Sequence, residues 1–174
     1  MQGAMKRLGY FPMIYHHDKG MWPPVTSSTS YFLWQKNMWE VFQELPISVL
    51  WNVGGVNSNL YDPISKWKAD NIKYTSLNIQ DALQNCDAVL VDFPSTVMWD
   101  AKKAGKPCLC LAPLTEKRWV REDVLKDQRI EIQFVTIDKV KISLEIWLID
   151  WKVVMTEQDL FMENQNDWLK EITQ

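Results

Sequence analysis

The chain has 174 residues, of which 47% are hydrophobic and 24% charged, an ordinary composition for a globular domain with a full core. The formal net charge of −3 argues against a nucleic-acid-binding surface, which needs clustered Lys and Arg side chains to displace counterions. No apolar run approaches the roughly 20 residues that a membrane-spanning helix needs, and the first residues lack the pattern of a secretion signal. We therefore expect a cytoplasmic globular protein.

The first half of the chain predicts three strands and one helix. Residues 1–9 are interpreted as a vector-derived or disordered leader, and the apolar stretch Tyr10–His17 as the first strand. Apolar residues at helical spacing predict a helix over Tyr31–Leu45. The short apolar run Ile47–Val53, ended by Gly54 and Gly55, predicts a second strand, and Ile72–Thr75 is interpreted as a short third strand.

The second half continues this alternation. In chain order the predicted elements are a helix Ile79–Cys86 capped by Asn78, a strand Asp87–Phe93, a helix Ser95–Ala104, a strand Pro107–Ala112, a helix from Thr115 to about Asp127, a strand Ile130–Val135, and helices Lys139–Asp150 and Thr156–Ile172. Strands that alternate with helices imply βαβ units. We therefore predict one Rossmann-like α/β domain over residues 10–174, with a doubly wound parallel sheet, helices on both faces and the strand order 3-2-1-4-5-6.

The turn after Asp87–Phe93 is the best candidate for a ligand site. This strand is almost wholly apolar, as expected of a central strand, and it leads straight into Pro94, Ser95 and Thr96. In doubly wound sheets ligands bind beyond the carboxyl ends of the strands, where free N–H groups and the dipole of the next helix favour anions. The structural alternative is that Ser95 only caps the helix, and capping frequencies alone favour neither interpretation.

Asp100 lies on the same face of the predicted helix as Thr96, one turn further on. A carboxylate repels phosphate, so a functional Asp100 would instead accept hydrogen bonds from a ribose. The structural alternative is an exposed pair with Lys103.

The segment CDAVLVDFPSTVMWDAKKAGKP, from Cys86 to Pro107, resembles the C-terminal, donor-binding half of GT-B glycosyltransferases. It is most similar to the branch with CDP-glycerol glycerophosphotransferases and bacterial surface-polysaccharide transferases. In that branch a strand ending in D-[YF]-[PS]-S-[ST] leads into a helix followed by G-K-P. The order of the preceding elements also agrees, so the resemblance covers roughly Tyr10 to Val135, and its specific part runs from Asp92 to Pro107.

The resemblance implies a domain that binds a nucleotide-activated sugar or polyol phosphate for the synthesis of surface polysaccharides. Ser95 and Thr96 would contact the donor's phosphates, and Asp100 would bind the ribose. No metal or other cofactor is implied. Because GT-B enzymes take their catalytic base and acceptor pocket largely from an N-terminal domain, we expect the isolated chain to be inactive, and to pair with that missing domain or with a second copy.

Two further positions are candidates for the same rim. The family usually follows the second strand with K-x-H-P, whereas this chain has Asn52, Val53, Gly54 and Gly55 there. Gly54 and Gly55 would let the backbone approach a ligand closely, although the family's cation is missing. His16, at the end of the first predicted strand, is the other candidate.

Two other functions remain open, a non-catalytic interaction domain on the same scaffold and a fragment of a sugar-nucleotide epimerase. Ten tryptophans favour an interaction surface, because a large exposed apolar patch usually marks an interface. We expect such a patch to include Trp22 and Trp34, or else Trp147, Trp151 and Trp168. The three cysteines lack CxxC spacing and are expected to be buried, reduced thiols.

Overall fold

A computed structural model of the chain describes residues 7–13, 28–53, 63–126 and 131–149. The described residues divide into two units, with the boundary between Val140 and Lys141. The first unit contains a six-stranded sheet. Its strands are β1 (Arg7–Phe11), β2 (Ser48–Asn52), β3 (Ile72–Thr75), β4 (Ala88–Val91), β5 (Cys108–Pro113) and β6 (Glu131–Val135).

Every pair of neighbouring strands in this sheet is parallel, and the spatial order is β3-β2-β1-β4-β5-β6. The predicted doubly wound, Rossmann-like α/β fold is therefore confirmed, with β4 as a central strand. β1 lies beside β4, with Tyr10 opposite Leu90 and Phe11 opposite Val91, so the direction in which the sheet grows reverses between them. We call the edge where the carboxyl ends of β1 and β4 meet the switch-point rim, since ligands bind at such a reversal in open α/β sheets.

Four helices accompany the strands of this unit in the described residues. They are α1 (Ser28–Glu44), α2 (Ile79–Gln84), α3 (Thr96–Lys103) and α4 (Glu122–Leu125), with 3₁₀ turns at Pro63–Lys66, Leu114–Trp119 and Ile137–Lys139. A further helix occupies residues 140–149. None of the helices in the described residues is long and apolar enough to cross a membrane.

The two faces of the sheet are covered by different helices. On one face α2 and α3 pack on the strands in a cluster that includes Leu83, Val89, Met98 and Cys110. On the other face Tyr10 makes edge-to-face contacts with Phe42 of α1 and with Trp51, at ring-centroid distances of 5.1 and 4.7 Å. Alternate residues of a strand point to opposite faces, so a strand that is covered on both faces is apolar throughout. This accounts for the unbroken apolar run of β4, in which all four residues are buried.

Gly9 allows Cys86, just beyond the end of α2, to approach β1 closely. A Cβ atom at this position would lie 2.8 Å from Sγ of Cys86 and 2.9 Å from Cε2 of Phe11. Any larger residue would therefore overpack the cluster beneath α2.

β1 begins three residues earlier than predicted. Arg7, Leu8 and Gly9, which we assigned to a leader, lie in the strand, and Leu8 is fully buried. Glycine has a low strand propensity, and here the packing against β2 and β4 overrides it. The predicted helix from Thr115 to about Asp127 is also different, because the backbone is extended at Val120 and Arg121 and divides it into a 3₁₀ turn and α4.

The predicted patch of exposed tryptophans is wrong for the two members that the structure describes. Trp34 and Trp147 are only 3% and 5% exposed. Large aromatic side chains contribute most when their whole surface is removed from water, which favours the interior. Trp22, Trp151 and Trp168 lie outside the described residues, as does the predicted helix Thr156–Ile172.

The cysteines agree with the prediction of reduced thiols. Cys86, Cys108 and Cys110 are free, with Cys86 and Cys110 buried and Cys108 half-buried. Burial raises the pKa of Cys86 to about 11 and that of Cys108 to about 12, so neither thiol ionises readily.

Candidate functional site

Helix α3 is held in place at its C-terminal end and along one face. Gly105 has a φ of 69° and closes the helix by donating to the carbonyl of Lys102 at 3.0 Å, while Lys106 N–H donates to the carbonyl of Ala101 at 2.9 Å. This pair of bonds is the Schellman motif, which favours glycine at the left-handed position. Met98 and Ala101 are buried against the sheet. The start of α3 is therefore fixed at the switch-point rim.

The first residues of α3 leave hydrogen-bond donors unused. Ser95 has the extended backbone of an N-cap residue, with φ −139° and ψ 168°, but its side chain makes no capping hydrogen bond. Its carbonyl accepts from Met98 N–H at 3.1 Å. Within the described residues, no hydrogen bond joins the Ser95 hydroxyl or the N–H groups of Thr96 and Val97 to an acceptor. The alternative that Ser95 acts only as a side-chain cap is thus not supported.

The same turn is accessible to solvent. Pro94 and Ser95 are half-buried and Thr96 is exposed. N–H groups at a helix start carry partial positive charge, so this turn can bind an anion without a cationic side chain.

Asp100 is half-buried, one helical turn after Thr96. No ion pair joins it to Lys103 in the part of the chain that the structure describes, so its structural alternative is not present. The carboxylate remains available to a ligand that reaches along this face of α3.

A buried polar cluster at the rim was not anticipated from the sequence. Asp92, directly after β4, is 2% exposed. Its Oδ1 accepts the backbone N–H of Met13 at 2.7 Å, and its Oδ2 lies 2.6 Å from the hydroxyl oxygens of both Tyr10 and Tyr31. One carboxyl group thus joins the ends of β1 and β4 to the first turn of α1.

The second layer of this cluster comes from α1. The Tyr31 hydroxyl also lies 2.5 Å from the carbonyl oxygen of Met13. Gln35, one turn further along α1 and fully buried, places Nε2 3.4 Å from the same carbonyl oxygen. We call Asp92, Tyr10, Tyr31, Gln35 and the Met13 backbone the rim cluster.

Burial changes the protonation of this cluster. It raises the pKa of Asp92 to about 6, because the charged carboxylate loses its water, and the hydrogen bonds from Tyr10, Tyr31 and the Met13 N–H offset only part of that cost. Burial also raises the pKa of Tyr31 well above its ordinary value, so the phenol keeps its proton. The only sequence signal for this cluster is an acidic residue that ends an apolar strand, and such a residue does not reveal its partners.

The polar side chain at the end of β2, Asn52, is used in hydrogen bonds within the fold. Asn52 is 2% exposed, and its Oδ1 accepts from the Thr75 hydroxyl at 2.9 Å and from Leu77 N–H at 2.8 Å. Its Nδ2 donates to the Leu77 carbonyl at 3.1 Å. These hydrogen bonds join the end of β2 to β3 and to the segment that follows it.

The remaining candidates lie outside the described residues. This applies to His16 and to Gly54 and Gly55, so their proximity to Ser95 stays a prediction. In the ranges that are described, no three His, Cys, Asp or Glu side chains form a group that could hold a metal ion.

No family model matches the chain, and no curated protein matches it. Among solved structures, the chain is similar to the crystal structure of the glycosyltransferase SnogD from Streptomyces nogalater, at 13% identity and a TM-score of 0.45. The similarity covers 76% of this chain and 30% of SnogD, so the chain spans less than a third of that protein. A likeness at this level adds nothing to the fold that the strand order already establishes.

Proposed function

We propose that the chain is a donor-binding domain of GT-B type, which holds the diphosphate of a nucleotide-activated sugar or polyol phosphate at residues 94–96. The observation that carries the proposal is the unused set of donors at the start of α3. Ser95 has the backbone of an N-cap, yet its hydroxyl and the next two N–H groups make no hydrogen bond within the described residues.

The chemistry of the turn suits a leaving nucleotide. In glycosyl and glycerophosphoryl transfer, negative charge builds up on the departing phosphate. Donors that are already oriented toward this charge stabilise it without reorganisation. The N–H groups of Thr96 and Val97 and the Ser95 hydroxyl would supply such donors, and Asp100 would accept hydrogen bonds from the ribose.

The finer assignment, to the branch with CDP-glycerol glycerophosphotransferases and surface-polysaccharide transferases, rests on the motif from Asp92 to Pro107 alone. This motif would place a diphosphate at the α3 start whichever base and transferred group the donor carries. We also propose that the chain binds a donor without turning it over, because the six-stranded sheet and its helices leave no second wall for an acceptor cleft in the described residues.

Calorimetric titration of UDP and CDP into the full chain tests the proposal. Ser95→Ala combined with Thr96→Val should weaken nucleotide binding about tenfold without abolishing it, because the backbone donors remain. Asp100→Asn should weaken nucleotides and leave the affinity for inorganic phosphate unchanged, since only a ribose would contact this carboxylate. If both nucleotides bind the variants as well as they bind the wild type, the site is elsewhere.

An interaction domain on the same scaffold is the second candidate. One observation favours it: Ile142, Ile146 and Ile149 of the helix at residues 140–149 are each more than half exposed. The spacing of three and four residues places them on one face of that helix. The nucleotide titration separates the two functions, because an interaction domain would bind neither UDP nor CDP.

A further inference from the structure

The rim cluster has short oxygen–oxygen contacts between Tyr10 and Asp92, between Tyr31 and Asp92, and between Tyr31 and the Met13 carbonyl. While Asp92 is ionised, only the two tyrosine hydroxyls carry protons, so one of these contacts has no proton between its oxygens. The Tyr31 hydroxyl oxygen lies 2.5 Å from the Met13 carbonyl oxygen and 2.6 Å from Oδ2 of Asp92. Both distances are at the short end for O–H···O hydrogen bonds, and each needs a proton between its two oxygens. A tyrosine hydroxyl has one proton to donate.

The second proton has one possible source within the cluster. A carbonyl oxygen has no proton, so the Met13 oxygen can only accept, and Tyr31 must donate to it. The contact between Tyr31 and Asp92 is then a hydrogen bond only if the carboxyl group carries a proton and donates it to the Tyr31 oxygen. With an ionised Asp92, Tyr31 would donate to the carboxylate and two unprotonated oxygens would face each other at 2.5 Å.

We propose that below about pH 6 Asp92 stands in this fold as a neutral carboxylic acid, and that the proton it then shares with Tyr31 holds the ends of β1 and β4 and the start of α1 together. The chain of donation runs from the Asp92 carboxyl to the Tyr31 hydroxyl and from there to the Met13 carbonyl. The Met13 N–H closes the ring by donating to Oδ1 of the same carboxyl. Asp92 is thus a positioning residue for both sides of the switch-point rim.

The surroundings of Asp92 suit the neutral form. Among the described residues, the titratable groups that face it are Tyr10 of β1, Tyr31 of α1 and Cys110 of β5, and all three are uncharged near neutral pH. The groups that shift its pKa most include no Lys or Arg side chain. Burial raises the pKa of a carboxyl group, here to about 6.

The linkage between this proton and folding has a definite sign. An Asp92 carboxyl whose folded pKa is about 6, above its ordinary value of 3.8, binds its proton more tightly in the folded than in the unfolded chain. Its stabilising contribution is therefore complete below about pH 4 and is lost as the pH rises through 6. The equilibrium constant for folding should rise about tenfold between pH 7 and pH 5 from this group alone.

Comparison of the wild type with Asp92→Asn isolates the contribution of Asp92 to the pH dependence of stability from that of the other titrating groups. A side-chain amide imitates the neutral acid toward Met13 and Tyr31, because its oxygen accepts from Met13 N–H while its NH₂ group donates to Tyr31. The second N–H of the amide faces Tyr10, whose hydroxyl oxygen then accepts instead of donating. Urea unfolding of the full 174-residue chain, followed by tryptophan fluorescence at several pH values, gives the folding equilibrium constants of wild type and variant. We expect the ratio of the wild-type to the variant folding equilibrium constant to rise about tenfold from pH 7 to pH 5, with the variant the more stable protein at pH 7.5.

A variant that is less stable than the wild type at pH 7.5, together with a ratio that does not change with pH, would overturn the proposal. Carbon-13 NMR titration of the wild-type Asp92 carboxyl carbon decides the matter if the variant does not fold. We expect a midpoint near pH 6, and a midpoint at or below pH 4 would show that the carboxyl group is ionised in the folded protein.

Discussion

The ends of β2 and β4 lie at the same edge of the sheet, and they use polar side chains in opposite ways. At the end of β2, the neutral amide of Asn52 has its oxygen and nitrogen bonded to Thr75 and Leu77, at 2.8–3.1 Å. At the end of β4, Asp92 is a buried titratable group, and three residues later Ser95 has an unused hydroxyl.

This contrast distinguishes a strand end whose polar groups serve only the fold, that of β2, from one whose free donors could bind a ligand, that of β4. Buried polar groups in folded proteins are normally hydrogen-bonded, as Asn52 is, so a satisfied amide needs no further explanation. Donors left free at a helix start that solvent can reach are available to an anion, and the buried carboxyl beside them holds their surroundings in place. For this reason the site that we propose lies at β4 and α3 rather than at the end of β2.

The largest effect should come from the end of β2. Asn52→Ala removes three hydrogen bonds and leaves the Leu77 N–H without its partner, which should cost about 2–4 kcal/mol of unfolding free energy. Asn85→Ala is the matched control, because the exposed Asn85 amide makes one hydrogen bond, to the Asp81 carbonyl, and should cost less than about 1 kcal/mol. Urea unfolding measures both, and equal losses would mean that Asn52 does not hold this rim.

A smaller effect is expected within the rim cluster. Tyr31→Phe removes the hydroxyl that contacts both Asp92 and the Met13 carbonyl, and should cost about 2 kcal/mol. Tyr10→Phe removes a hydroxyl that donates to Asp92 and should cost about 1 kcal/mol. The order of the two losses, measured by thermal or urea unfolding, is the informative result. A larger loss for Tyr10→Phe would contradict the chain of donation through Tyr31.

The smallest effect on stability should occur at the proposed ligand site. Ser95→Ala should change the free energy of unfolding by less than about 0.5 kcal/mol, because the hydroxyl makes no capping bond. Asn78→Ala is the control, since the Asn78 side chain does cap α2 by accepting from Asp81 N–H at 3.0 Å, and should cost about 1 kcal/mol. A loss at Ser95 as large as that at Asn78 would return Ser95 to the role of a helix cap.

Most of the sheet could be predicted from the sequence, because strands covered on both faces are recognisable as short apolar runs. β3 was predicted at its observed limits, and Asn78 was identified as a cap. The start of β1 was missed because Gly9 interrupts the apolar pattern that marks a strand. The glycine is required there by close packing with Cys86, which the sequence does not reveal. The rim cluster could not be predicted, since Tyr10 and Asp92 are 82 residues apart in the chain and their contact follows only from the strand order.

The measurement that tests the central claim most directly is a map of backbone amide NMR shifts in the full chain during titration with UDP. If the unused donors at the α3 start form the site, the amide signals of Thr96 and Val97 should show the largest saturable changes, and inorganic phosphate should move the same signals. The signal of the Leu77 amide, which already donates to Asn52, should not shift. Saturable changes that spare Thr96 and Val97, or no change at millimolar UDP, would contradict the assignment of a donor-binding site to this turn.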